Sequence, residues 1–250
     1  MSFSRVRASW LAAAGVLLAS QSAWAQDGTK LYRELCASCH GEDGDGDGPA
    51  ARFLTPLPRD FTSGQFKFRT TPLGSPPTDA DIIRTIARGV PGTAMPAWSG
   101  RIDAAEMAAV AQVVRGFGST AAPPPAGLQI PDAPALDEAA VARGQVFFQA
   151  MCATCHGETG AGNGPGSEGL TDGWGEPIRP ANFTRGVYKS GSAPEDLYRT
   201  ISTGLQGTPM VSFGALSDAQ RWDLVATVRS FETARRWERG RVPQPPRSEP

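Results

Sequence analysis

Two short segments constrain this chain more than anything else in it: Cys36-Ala-Ser-Cys39-His40 and Cys152-Ala-Thr-Cys155-His156. The chain has four cysteines and two histidines, and these two segments use all of them. C-x-x-C-H is the attachment pattern of c-type haem. Two cysteines three apart on a helical turn project to nearly one face. They can bond the two vinyl groups of one haem, and the next residue, histidine, then lies under the iron. Two other uses of paired cysteines stand beside this one. Four thiolates can hold a single zinc, and an oxidising compartment favours disulfides. Neither explains why a histidine follows each pair.

The second half of the chain repeats the first. CHGEDGDGDGP (39–49) faces CHGETGAGNGP (155–165), and PRDFTSGQFK (58–67) faces RPANFTRGVYK (179–189). DIIRTIARGVPGTAMP (81–96) faces DLYRTISTGLQGTPMV (196–211), and VAQVVRGF (110–117) faces LVATVRSF (224–231). The offset is 116 at Cys36/Cys152 and 114 at Phe117/Phe231. Each unit, at roughly 90 residues, is large enough for a small core. The organisation expected is a unit over 27–118, a linker over 119–139 and a second unit over 140–234. The linker holds five prolines between Ser119 and Glu138, which predicts a semi-rigid, partly extended segment. Residues 235–250, rich in Arg and Pro, read as a flexible tail.

Residues 1–25 read as a secretory signal peptide. Arg5 and Arg7 precede an apolar run from Trp10 to Ala19, and Ala23-Trp24-Ala25 fits a small-x-small cleavage site. The run is shorter than the roughly 20 apolar residues of a membrane span. The expected location is therefore periplasmic, with no membrane span in the mature chain. Removing the leader leaves 22 basic against 25 acidic residues, a net charge of −3. That balance gives no reason to expect nucleic acid as a partner.

Start and stop signals place the helices. One runs into each C-x-x-C-H, from about Gly28 and from about Asp137. A middle helix starts near Thr78 and ends at Gly89; its counterpart starts near Ser192, where Ser192 and Glu195 have capping-box spacing, and ends at Gly204. A last helix covers about Asp103 to Phe117 and, after Ser217 and Gln220 at the same spacing, reaches about Phe231. No segment is strand-rich. The fold class expected is all-α, with long loops.

If each histidine holds one face of an iron, the opposite ligand must come from what remains. Lysine, tyrosine and methionine are candidates, and methionine commonly partners histidine in this role. Of the five methionines, Met1 leaves with the leader and Met151 abuts Cys152 on the proximal side. Met107 has no counterpart in the repeat and reads as core. Met95 and Met210 occupy matched places, 55 residues after His40 and 54 after His156, each beyond a helix stop and a glycine. The reading is His40/Met95 for one iron and His156/Met210 for the other. Thioether sulfur favours ferrous iron and raises the potential relative to a second histidine. With two strong ligands held in both oxidation states, such a centre passes single electrons and has no open position for substrate.

Both halves resemble class I cytochrome c domains, and the whole resembles the dihaem c-type cytochromes of the bacterial periplasm. The resemblance rests on the C-x-x-C-H-G motifs, the Met-bearing loops, the helix order, and Gly28 with Tyr32 and Gly144 with Phe148 at G-x-x-x-aromatic spacing. It covers about residues 27–118 and 140–234. It implies two tandem domains with long loops wrapped around two covalently attached haem c groups, joined through Cys36, Cys39, Cys152 and Cys155. It also implies a close crossing of first and last helices at each glycine, with Phe117 and Phe231 at the crossing. Two departures stand out: Val211 where the first half has Pro96, and Asn182 opposite Asp60.

The function expected is a non-enzymatic one: single electrons carried between a redox donor and acceptor, either as a free carrier or as a subunit that associates with a membrane complex. The alternative is a dihaem enzyme of the peroxidase or thiosulfate dehydrogenase type, which needs a labile ligand and draws on extra histidine or on cysteine ligation. This chain has no spare residue of either kind. Asp43, Asp45 and Asp47 imitate a calcium loop but lack the closing glutamate. The glycines they share with the second half read as a loop tucked against haem. Arg84 and Arg199, in matched positions, read either as partners of a haem propionate or as exposed helix arginines.

Overall fold

The computed structural model describes residues 28–118 and 123–238, with side chains to residue 232. The expected leader, the start of the linker and the tail from residue 239 onward lie outside the described residues. The chain divides into two units that are not contiguous in sequence. One runs to Gln65 and adds Pro76–Gly89 and Ala94–Pro123; the other takes Phe66–Ser75, Val90–Thr93 and the chain from Pro124.

The first unit has helices α1 (residues 28–35), α2 (Ala37–His40), α3 (Asp79–Arg88) and α4 (Ala104–Phe117). Both longer helices start on a full capping box: Thr78 with Asp81 in α3, and Asp103 with Glu106 in α4. Each box satisfies two backbone N–H groups that the first turn leaves without intrahelical partners. α3 packs on α4 through Ile82 and Ile86 on one side and Val110 and Val114 on the other, all buried.

The second unit repeats the plan with α5 (Glu138–Met151), α6 (Ala153–His156), α7 (Pro194–Thr203) and α8 (Asp218–Glu238). Asp137 caps α5, accepting from the Ala140 N–H. Ser217 and Gln220 exchange both capping-box hydrogen bonds ahead of α8. α8 runs to Glu238, seven residues past the expected end at Phe231 and into the stretch read as tail. α7 also departs from expectation. Its N-cap is Ala193, with no side-chain cap, and Ser192 and Glu195 do not form the expected box. Pro194 explains this: its fixed φ and missing N–H suit the first helical position, and that shifts the cap onto the residue before it.

All regular structure among the described residues is helical, with only isolated bridges at Ser99–Ile102 and Thr171–Pro177; the fold is all-α. Among the described residues no helix is long and apolar enough to cross a membrane. The Pro-rich segment from Pro124 belongs to the second unit. Its Leu128, Ile130 and Leu136 are half-buried against the core built by Phe148, Leu197, Tyr198, Trp222 and Val225.

In both units the first and last helices cross at a glycine. A Cβ at Gly28 would lie 2.6 Å from the Ala109 carbonyl oxygen, and one at Gly144 would lie 2.1 Å from the Asp223 carbonyl oxygen. Aromatic rings sit one turn further on: Tyr32 meets Phe117 at 5.0 Å between centroids, and Phe148 meets Phe231 at 4.9 Å. Backbone atoms face these glycines, so a methyl can be admitted only by separating the helices. Gly144→Ala is therefore expected to destabilise the second unit by about 3 kcal/mol. Denaturant unfolding of the haem-loaded protein, followed by far-UV circular dichroism, measures this.

Candidate functional site

Each C-x-x-C-H lies on a short helix that continues the first helix after a break. In the first unit Cys36 ends α1's turn and Ala37–His40 form α2; in the second Cys152 links α5 to α6. The hydrogen bond from the His40 N–H to the Cys36 carbonyl (3.0 Å), and its counterpart from His156 to Cys152 (2.9 Å), keep each pair of thiols and the histidine on one turn. The four cysteines are half-buried and unbonded to one another. Burial pushes the Cys36 and Cys152 thiols up to about 11, helped by the neighbouring Cys39 and Cys155. These thiols are thus protonated at neutral pH. Among the described residues no three His, Cys, Asp or Glu side chains converge where they would hold an ion.

The imidazoles are held from two sides. Nδ1 of His40 is 3.1 Å from the Arg59 carbonyl oxygen, and Nδ1 of His156 is 3.2 Å from that of Ala181. A carbonyl only accepts, so Nδ1 carries the proton and Nε2 is left with its lone pair. Burial lowers the pKa of both rings, opposed in each case by that hydrogen bond. Phe61 stacks on His40 at 4.6 Å between centroids, and Phe183 stacks on His156 at 4.5 Å. These two phenylalanines were not singled out in the sequence, although the matched DFTSG and NFTRG segments carry them. The residue just before each segment, Arg59 or Ala181, supplies the carbonyl.

The turn after each carbonyl is built the same way despite the change of residue. Asp60 accepts from the N–H (2.8 Å) and hydroxyl (2.6 Å) of Thr62; Asn182 accepts from those of Thr184 (3.1 and 2.6 Å). The oxygen needed for the turn is present in both, but only the first unit has a carboxylate there.

The shared glycine loops pack closely on protein atoms. A Cβ at Gly44 would strike the Phe117 ring, one at Gly160 the Phe231 ring, and ones at Gly48 and Gly164 the carbonyls of the C-x-x-C-H turns. These loops lock the haem-binding turn to the last helix. Asp45 turns back to accept from the Asp47 N–H. Arg84 pairs with Asp81 and Arg199 with Asp196 on their own helices.

Met95 and Met210 are half-buried on straps that leave the ends of α3 and α7. Each strap is pinned at matched places. The Trp98 N–H returns to the Ile86 carbonyl (3.2 Å), and the Phe213 N–H to that of Ile201 (3.0 Å). Thr93 and Thr208 donate their hydroxyls to the carbonyls of Val90 (2.8 Å) and Leu205 (2.7 Å). Gly89 and Gly204, both at φ +65, let the straps fold back so closely that a Cβ would touch Pro96 and Val211 backbone. Met151 is 38% exposed on α5, and Met107 is half-buried on α4. Burial holds the Tyr32 phenol far above its usual range and pushes Tyr188 up to about 12.

The residues fit a haem in each unit. Two cysteines and a histidine share one turn, the imidazole Nε2 keeps its lone pair, and in the second unit two buried donors, the Tyr188 hydroxyl and Trp222 Nε1, have no protein acceptor. A haem carboxylate supplies the acceptors such donors need.

The two units are cytochrome c domains, and the chain is a dihaem c-type cytochrome. More narrowly, it belongs to the family described as cytochrome c oxidase, cbb3-type, subunit III, which it matches over residues 23–112 and 139–226. Covalently bound haem c follows from that membership, and two domains fit two haems. The chain is 27% identical over 217 residues to a cbb3-type cytochrome c oxidase subunit CcoP of Azospirillum sp. (strain B510). That match covers 82% of this chain and 61% of the relative, so the chain spans about three fifths of the relative's length. A solved chain of the Kuenenia stuttgartiensis reducing HAO-like protein complex is 40% identical with a TM-score of 0.79, covering 82% of this chain and 95% of that one.

One detail separates the domains. The Tyr32 hydroxyl donates to the Gly41 carbonyl (2.8 Å), the residue after His40, and Phe148 has no hydroxyl to do so. Tyr32→Phe leaves that buried carbonyl without its donor. It is expected to cost about 1–2 kcal/mol while preserving the fold. A shift of the denaturation midpoint at unchanged haem spectrum would show it.

Proposed function

We propose that the chain is an exported periplasmic cytochrome that passes single electrons between a protein donor and a protein acceptor. Its axial pairs are His40/Met95 and His156/Met210, and its haems are attached through Cys36/Cys39 and Cys152/Cys155. The observation that carries this reading is the twofold constellation of an Nδ1-tethered histidine and a pinned strap bearing the chain's two repeat-matched methionines. Haem iron supplies the one-electron couple. The protein's part is to hold both ligands still: the Arg59 and Ala181 carbonyls and the Phe61 and Phe183 rings fix each imidazole, while the straps return each methionine to a set place. A centre that keeps both ligands through the redox change reorganises little.

The relatives are named as subunits of larger assemblies, an oxidase in one case and a reducing HAO-like complex in the other. That supports a role as the electron-transfer subunit of a respiratory or oxidoreductase complex, with the catalytic centre in another subunit. The peroxidase or thiosulfate dehydrogenase alternative needs one displaceable ligand, and no observation on either strap favours it. Absorption spectra of the loaded protein distinguish the two. The carrier shows two low-spin haems, the weak far-red band of ferric methionine ligation, and no prompt carbon monoxide adduct on reduction.

Replacing each methionine in turn tests the ligand assignment. Met95→His and Met210→His are each expected to lower one redox wave by on the order of 0.2 V, a fraction of the roughly 0.8 V span open to haem proteins, and to leave the other in place. Spectroelectrochemical titration reads both waves; a wave indifferent to both changes removes the assignment. The Asp60 carboxylate lies beside the carbonyl that holds His40 and stabilises the oxidised, more positive centre. Asp60→Asn keeps the turn oxygen and removes the charge. It is expected to raise the first haem's potential and leave the second unmoved, in the same titration.

A further inference from the structure

The repeats differ most in two loops. Fourteen positions separate Lys67 from Asp81, but seven separate their counterparts Lys189 and Asp196. Twelve separate Pro49 from Phe61, but eighteen separate Pro165 from Phe183. The first repeat thus has seven extra residues in one loop, and the second has six in another.

Both extra loops belong to the second unit, and both end on the same few residues. In the first, Arg69 is fully buried. Its Nε and Nη1 donate to the carbonyls of Pro72 (3.3 Å) and Phe66 (3.4 Å), which fold the loop around the guanidinium. Its Nη2 donates to the Thr203 carbonyl (3.1 Å), and the Thr203 hydroxyl, which is nearest the Arg199 carbonyl (3.0 Å), also lies 3.3 Å from the Arg69 carbonyl. In the second, Asp172 to Glu176 closes a tight turn (Asp172 N–H to Glu176 carbonyl, 2.9 Å), and the Gly173 N–H donates to the Gly207 carbonyl (2.9 Å). Lys67 and Asp172 join the two loops at 3.7 Å, with side chains 23% and 12% exposed.

Thr203 is the last residue of α7 and Gly207 lies within the strap. Between them the Leu205 N–H bonds the Met210 carbonyl (2.9 Å). The two loops therefore grip both ends of the segment that sets where Met210 sits. At the root of the first strap the counterpart of Thr203 is Arg88, which is exposed. That strap has Pro96 after its methionine, a residue that stiffens the chain by itself, where the second strap has Val211.

We propose that Arg69 is a positioning residue for the second haem's axial methionine. Together with the Asp172–Gly173 turn it forms a brace that replaces the missing proline and keeps the strap closed over that iron. This rests on the assignment of Met210 as ligand. Burying a guanidinium is costly unless its donors are met, and here the met donors pass that rigidity to the strap.

The test uses the full-length haem-loaded protein, with waves assigned through Met95→His and Met210→His. Arg69→Gln removes the fork. Its expected effects are a lower potential for the second haem, a weaker far-red methionine band, and cyanide binding to the ferric second haem at least about tenfold faster, as loss of a charged hydrogen bond implies. The first haem's wave and cyanide rate should be unchanged. If Arg69→Gln yields no loaded protein, Arg69→Lys, which keeps the charge but cannot donate to all three carbonyls, carries the same test with smaller effects of the same selectivity. Unchanged second-haem potential and cyanide rate would overturn the brace, as would equal changes at both haems. If the second wave ignores Met210→His itself, the ligand assignment fails rather than the brace alone.

Discussion

In each domain a line of rings runs from the helix crossing to the metal-binding imidazole, and the rest of the domain is arranged to keep that line in place. In the first it passes Tyr32, Phe117, Phe61 and His40, with centroids 5.0, 6.4 and 4.6 Å apart. In the second it passes Phe231, Phe148, Phe183 and His156, at 4.9, 6.3 and 4.5 Å. The glycine at each crossing lets the outer pair meet, and the glycine loop clamps the turn against the last helix. The carbonyl beside the third ring then orients the histidine. Aromatic pairs gain from such geometry beyond the area they bury.

The middle ring of that line marks the limit of what the sequence discloses. The crossing glycines and their aromatics are readable because helical spacing ties them to a motif of known chemistry. Phe61 and Phe183 sit on irregular backbone, where no periodicity says which way a side chain points, and their part emerges only once the loop is closed. The helix caps show the same division. Thr78 with Asp81 and Ser217 with Gln220 are local patterns, and they form. Ser192 with Glu195 has the same spacing, yet Pro194 between them changes which backbone N–H groups need a partner. Arg69 is the extreme case: nothing within ten residues of it predicts that its guanidinium is buried against a carbonyl 134 positions away.

The duplication kept the plan and altered its electrostatics and stiffness. Tyr32 bonds a carbonyl that Phe148 cannot, Asp60 places a carboxylate where Asn182 places an amide, and Pro96 gives way to Val211. Each change leaves the local turn or crossing intact, because the atom the backbone needs is still there or is replaced by packing. What differs is the field at the metal and the freedom of the strap. These are the quantities that set a redox potential once ligand identity is fixed.

On the proposed assignment, two domains with one ligand set but unlike surroundings would hold two unlike potentials. A carboxylate near the first histidine favours the oxidised form there, and the amide in the second has no such effect. On the proposed assignment, a strap held by neighbouring loops would resist ligand loss without the proline that follows the first methionine. On the proposed ligand assignment, the second centre is the less stabilised of the two in the oxidised state. The extra loops, which a reading of the repeat alone would set aside as insertions, bond the root and middle of the second strap at Thr203 and Gly207.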